Sequence, residues 1–350
     1  MPEIIDLLSV PLRCVSDESL KLSGELKSIP EDFEVEEIPV YLPSGTGDHL
    51  FLWIEKRDVS AEQLLQHLSA TLKIHRNEIG VAGLKDRRAI TRQWVSVPAA
   101  CLESVPSVNT ERINVLDSQL HSNKLKTGHL KGNRFTIVLR TSDTNALSIA
   151  EQLREELLVT GFPNYFGDQR FGIDGETLKT GYQLLIGELT PKDIPWQRRK
   201  FLTRLSLSAV QSALFNKILS SRIQDQTFNR VQQGDVLQVV ASGGPFVSEE
   251  PEVDQLRFDR HEVVTSGPMF GPKMKLPEYD QLNYELRFLS ECQLSLEHFN
   301  QHKKLTSGTR RPLLLRLEEM KIEQTQDGLR FQFELPKGAY ATTIFKEFLK

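Results

Sequence analysis

Apolar positions recur with two different periods along the first part of the chain, and the change of period marks the predicted elements. FEVEEI (Phe33–Ile38) alternates with a period of two, and HLFLWIEKR (His49–Arg57) is apolar enough to be covered on both faces; both read as strands. Ser60 then opens Ser-Ala-Glu-Gln, a capping box, and Leu64, Leu65, Leu68 and Leu72 lay a helical stripe behind it. Ile79–Leu84 reads as a short strand running into a turn at Lys85–Asp86–Arg87. Gln93–Val97 and FTIVLR (Phe135–Arg140) are further strands, and Ala146–Val159 is an amphipathic helix ended by Gly161.

The pattern changes at Phe162. FPNYFGDQRFG is loop-like, aromatic and polar at once, and a helical region follows, clearest from Ser208 to Ile223. Val236–Val240 reads as a short strand and SGPMFGP as a stretch punctuated by Gly and Pro. From Pro312 the strand pattern returns in PLLLRLEEMKIEQ, an Asp327–Gly328 hairpin turn and LRFQFEL, before a short helix at Thr342–Leu349. This layout predicts an α+β fold in which a mixed sheet domain (1–160 and 312–350) is interrupted by a more helical inserted domain (161–311).

Composition fits that picture. A chain of 350 residues, 39% hydrophobic and 26% charged, can bury a sizeable core and is long for one domain. No apolar run approaches membrane-spanning length, and MPEIIDLLSVPLR carries acids where a signal peptide needs cations, so the expected location is the cytoplasm. Cys14, Cys101 and Cys292 form no CxxC and are expected to be reduced thiols. The net charge of −4 conceals acid-free basic blocks. One, Gln119–Ser142, holds Lys124, Lys126, Lys131, Arg134 and Arg140. Another, Ile194–Gln224, holds Arg198, Arg199, Lys200, Arg204, Lys217 and Arg222, and a third is His298–Leu317. Such segregation suits a basic face for phosphates, although solvated charge runs look the same.

Few motifs carry chemistry. His298 and His302 share the i, i+4 spacing of a metal pair but lack the HExxH order and a third ligand, so no metal is expected. The glycine pairs follow neither the P-loop nor the dinucleotide spacing. AGLKDRRAITRQWVSV is more informative: Asp86 stands between Lys85 and Arg87–Arg88, after one apolar strand and before another. Cations on both sides hold a carboxylate ionised, an ionised carboxylate can act as a covalent nucleophile, and the same cations could bind phosphates. On the residues alone a solvated turn aspartate with ordinary salt bridges is the simpler reading, since nothing in them compels catalysis.

AGLKDRRAITRQW resembles the catalytic signature of the TruD pseudouridine synthases. KSIPEDFEVEE, KGNRF, NYFGDQRFG, LSAVQSALFN, GPMFGP and LPKGAYATTIFKEFL resemble further landmarks of that family, in family order from end to end of the chain. The resemblance implies a pseudouridine synthase catalytic domain, with a mainly antiparallel mixed sheet, interrupted by a TRUD domain. It implies Asp86 as nucleophile, with Phe33, Asn133 and Tyr340 contacting the target uridine. On the residues alone, Phe33 could be core, Asn133 a turn residue and Tyr340 helix-start packing. Related synthases pair the aspartate with a basic residue, for which Lys27 and Lys85 are the candidates. Lys85, Arg87, Arg88, Lys131, Arg198, Arg199 and Lys200 are candidates for the RNA backbone. The implied substrate is tRNA, at uridine 13 of the D arm, and the expected enzyme is a monomer. Isomerisation needs no cofactor, nucleotide or metal, and none is expected. A non-catalytic RNA-binding or RNA-folding protein would share the basic blocks and aromatics but would have no need of Asp86.

Overall fold

The computed structural model describes residues 11–350. Along the chain come β1 (Phe33–Pro39), β2 (His49–Arg57), α1 (Ala61–Leu72), β3 (Ile90–Pro98), β4 (Ile113–His121), β5 (Leu130–Arg140) and α2 (Ala146–Thr160). The middle of the chain forms α3 (Glu176–Ile186), α4 (Arg199–Gln224), β6 (Val236–Val239), β7 (Pro245–Val247), β8 (Val263–Met269), α5 (Tyr279–Glu291) and β9 (Thr309–Pro312). It closes with β10 (Met320–Thr325), β11 (Gly328–Pro336) and α6 (Ala341–Leu349). The fold is mixed α+β, with a larger sheet from one part of the chain, a second from the other, and a two-stranded pair at their junction.

The larger sheet runs β10-β11-β5-β1-β3-β2-β4. Only the central β1–β3 neighbours are parallel along this path; the others are antiparallel. β1 and β3 stay paired only from Glu34↔Ile90 to Glu36↔Arg92. Beyond that they part, and the short strand Gly80–Val81 takes the place beside β3, opposite Val95 and Ser96. The segment that follows Val81 must therefore return across this split to reach Ile90.

Local chemistry explains the helices that cover the sheet. Ser60 Oγ accepts from Gln63 N (3.1 Å) while Ser60 N donates to Gln63 Oε1 (2.9 Å), which closes the capping box of α1. α2 stops at Gly161, whose φ of 84° needs a residue without Cβ. Leu64 and Leu68 of α1 pack on Leu52, Ile54 and Val95, while α2 and α6 pack on Phe33, Ile137 and Phe331. Directly opposed residues in neighbouring strands point to one face, so the pairs Ile54↔Gln93, Val35↔Thr91 and Phe33↔Ile137 put α1, α2 and α6 on the same side.

The second sheet runs β7-β6-β8-β9. Its neighbouring helical core joins Leu178 and Tyr182 of α3, Leu207, Val210 and Leu214 of α4 and Phe288 of α5. The chain leaves the first part and re-enters it side by side, because Phe162–Pro163 pairs with Leu314–Leu315.

The structure corrects the pattern reading in one place and adds to it in two. PLLLR does not rejoin the larger sheet: Pro312 ends β9 against Ser266, and the sheet resumes only at Met320. SGPMFGP, read only as punctuated by Gly and Pro, begins inside a strand, Val263–Met269, that is buried along its whole length. β4 gave no clear alternation because it is an edge strand with few buried positions.

Candidate active site

Asp86 lies on the segment that crosses the split between β1 and β3. Its side chain is 44% exposed, and its Oδ2 is 3.1 Å from Lys27 Nζ. Lys27 adopts a left-handed backbone with φ 59°, a conformation that non-glycine residues hold only under constraint. From there its ammonium also sits 3.7 Å from the centroid of the Phe33 ring, whose negative face favours a cation. Asp86, Lys27 and Phe33 thus meet in one place.

Beneath this turn is a residue that the pattern reading missed. Lys56 is 0% exposed and donates to Asp86 O (2.7 Å) and Val59 O (2.6 Å), so a buried ammonium clamps the backbone of the aspartate. Burial lowers the pKa of Lys56 from its ordinary 10.5 to about 8, against the pull of the Asp86 charge. A charged residue in phase with Leu50, Leu52 and Ile54 was the available signal.

The floor of the split is polar. Glu37 and Asn133 are directly opposed on β1 and β5, on the face that also carries Val35, Thr91 and Gln93. Glu37 Oε1, Asn133 Oδ1, Thr91 Oγ1 and Gln93 Oε1 are all buried without a hydrogen-bond partner. Unpaired buried polar atoms are costly, and a group of them beside an exposed carboxylate marks a place built for a polar ligand. Burial pushes the Glu37 carboxyl upward, while the Lys85 ammonium at 2.9 Å opposes the shift.

Tyr340 stands at the N-cap of α6, and its ring lies 6.1 Å from that of Phe166. β11 pairs Leu335 with Asn133, so the chain that leads to Tyr340 starts beside the polar floor. Arg311 holds this end in place: it donates to Gly338 O (3.0 Å) and to the side-chain oxygen of Asn164, and lies over the Phe166 ring. Arg311 had been counted only as part of a basic block.

The TruD family model, tRNA pseudouridine synthase D, matches residues 12–191 and 198–348. The tRNA pseudouridine synthase D of Anaeromyxobacter dehalogenans is 40% identical over 327 residues, 93% of each chain. That of Thermus thermophilus is 39% identical over 334 residues, 94% of this chain and 89% of the relative. The chain belongs to the TruD family. A solved structure from Methanosarcina mazei, assigned to tRNA pseudouridine synthase D (TruD), shares the fold with a TM-score of 0.75 at 24% identity, covering 100% of this chain and 98% of that one.

Several residues read as phosphate contacts stand elsewhere. Lys85 is corrected from a surface cation, or a partner of Asp86, to a buried partner of Glu37, with 4% of its side chain exposed. Arg199 turns back on its own chain, donating to Ile194 O (3.2 Å) and Lys192 O (3.1 Å). The third basic block is divided: Arg310 is buried on Glu285 and Arg311 is tied down as described, while Lys303 and Lys304 are exposed. Arg222 likewise pairs inside with Asp235. Arg87, Arg88 and Lys131 are exposed near the site, and Arg198 and Lys200 are exposed at the start of α4. His298 caps Ser295 while His302 bonds Leu184 O, and among the described residues no group of three or more His, Cys, Asp or Glu could hold a metal.

Proposed function

We propose that this protein converts uridine to pseudouridine in tRNA in the cytoplasm, at position 13 of the D arm, with Asp86 as nucleophile. The observation that carries this reading is the exposed Asp86 carboxylate, ion-paired with Lys27 above a floor of unpartnered polar atoms. An ionised carboxylate is the form that can attack carbon, and Lys27 Nζ at 3.1 Å is its ion-pair partner. Attack forms a covalent bond between Asp86 and the substrate, the bond from uracil N1 to the ribose breaks, and as the ring rejoins the ribose through C5 the bond to Asp86 breaks and frees the carboxylate. The proton on C5 leaves and N1 gains one, so the atoms balance and nothing is oxidised.

The target base must be extruded from its stack to reach Asp86. The Asn133 amide, which offers both donors and an acceptor, reads the polar edge of uracil, and Tyr340 stacks on the ring. Arg87, Arg88 and Lys131 hold the flanking phosphates. The 161–311 insert acts as a second grip on the RNA.

Asp86→Asn is the direct test, because it keeps the size and removes the charge. Base-resolved mapping of tRNA should show no pseudouridine with this variant. Melting should be nearly unchanged and RNA affinity equal to or slightly above wild type, since a negative charge near phosphates is gone. A folded, RNA-binding Asp86→Asn protein with near-normal turnover would sink the reading.

A further inference from the structure

Trp196 is 80% exposed and Phe201 65% exposed, within one short stretch at the start of α4. Large aromatics are seldom left so open without a partner. The surrounding charge is one-sided: Arg198, Lys200 and Arg204 are exposed, and no acid occurs from Ile194 to Gln224. The acid just before that stretch, Asp193, is occupied by Thr190, which donates to it from N (2.7 Å) and Oγ (2.8 Å).

The patch is held firmly. Arg199 clamps Lys192 O and Ile194 O, and Arg198 N donates to Pro195 O (3.0 Å), so Trp196 sits on a pinned turn. It also points the way to the active site. Lys200, Arg204, Ser208 and Ser212 follow at intervals of four along one face of α4. Arg170 donates to the Ser208 and Ser212 hydroxyls and lies over Phe166, whose ring meets Tyr340. Lys200 is about 12 Å along the helix from Ser208, at 1.5 Å per residue. An RNA bound at Tyr340 can therefore run along this ridge. Trp196 falls between the two segments that the family model matches, 12–191 and 198–348.

We infer that Trp196 and Phe201, flanked by Lys200 and Arg204, form a docking surface for an unpaired nucleobase of the tRNA, away from the target uridine. The aromatic rings stack on the base, which carries no sequence requirement, and the cations take its phosphates. A plain duplex offers no free base face to this patch, so the surface favours RNA with a loop in the right place. The inference rests on the reading of this chain as a tRNA-acting enzyme.

The test is tRNA affinity at one fixed salt concentration, set beside affinity for an RNA duplex with no unpaired bases. Trp196→Ala should weaken tRNA binding about 5- to 150-fold, the range that one stacked base supplies. It should leave duplex binding as in wild type, while Trp196→Phe should recover most of the tRNA affinity. The pair Lys200→Glu and Arg204→Glu should lower the salt slope of binding. The surface is ruled out if Trp196→Ala binds tRNA like wild type, or loses affinity equally for the duplex. A wild-type dimer that Trp196→Ala splits without change in tRNA affinity would assign the patch to a second copy instead. Wild-type protein that binds tRNA through Trp196 but forms no pseudouridine would overturn the catalytic reading and leave this surface standing.

Discussion

Lys56 places a cation under the proposed nucleophile without offering it to solvent. Its two acceptors are backbone carbonyls, Asp86 O and Val59 O, so it fixes where the turn sits rather than what the carboxylate does. Lys56→Met keeps the length and removes the donors, leaving two buried carbonyls unpaired at about 1–3 kcal/mol each, partly offset because a buried charge is gone. The expected result is a fall in kcat of tenfold or more with little change in KM, measured by steady-state kinetics; unchanged kcat would remove Lys56 from the mechanism. pH gives a second handle. With a folded pKa of about 8 against an ordinary 10.5, the unfolded chain holds more protons in that window. The Lys56 contribution to stability should therefore rise with pH from about 8 to 10.5, while activity falls through about 8 as the clamp loses its charge. Lys56→Met should lack that alkaline limb.

Glycine acts at the scale of the strand pair. A Cβ on Gly132 would stand 2.2 Å from Leu335 O, a backbone atom that cannot turn aside, so β5 and β11 approach closely only because this residue has no side chain. Gly132→Ala should cost about 1–3 kcal/mol in thermal unfolding as the pair is pushed apart. It should also cost turnover beyond the loss of folded protein, because Asn133 and the approach to Tyr340 lie on these strands. An unchanged melting temperature would show that the pair gives way without strain. The elements themselves differ in how legible they were. β1, β2 and α1 follow from local pattern, since their burial matches their alternation or stripe. α4 begins at Arg199, well before the clear stripe at Ser208, because its first turns carry the exposed basic ridge and so blur the pattern. Within the site, the Asp86 turn was legible through its motif. Glu37 and Lys56 were not, because a charged residue in a strand reads as facing solvent. Both are in phase with apolar neighbours, Phe33 and Val35 for the one and Leu52 and Ile54 for the other, and that phase is the signal that tells otherwise.

Over the whole molecule, Arg311 couples the insert to the Tyr340 end of the site. It reaches Asn164 just after the chain leaves the first part and Gly338 just before α6. Replacing it with Met leaves the Asn164 oxygens without that donor inside the protein, while Gly338 O stays within reach of water. Arg311→Met should lower stability by about 1–3 kcal/mol for each acceptor left without a donor. It should also raise KM for tRNA more than a stability loss explains, because Phe166, Arg170 and the α4 ridge would no longer be held in register with Tyr340. Calorimetry and steady-state kinetics on the same preparation separate the two effects, and an unaltered KM would mean that the insert is positioned by other contacts. The adjoining strands Phe162–Pro163 and Leu314–Leu315 remain as a second tie at the same junction.

The pairing of β5 with β11 also sets a clock during synthesis. Arg134 and Glu334 face each other across these strands, 200 residues apart in sequence. At 5–20 residues per second, β5 emerges from the ribosome about 10–40 s before the strand that completes it. Through that interval the Asp86 turn is already made, but the Asn133 strand has an unpaired edge and no Tyr340 beside it. The unfinished chain therefore carries the proposed nucleophile without the full set of groups proposed to receive a base, and that set is completed only with β11 and Tyr340.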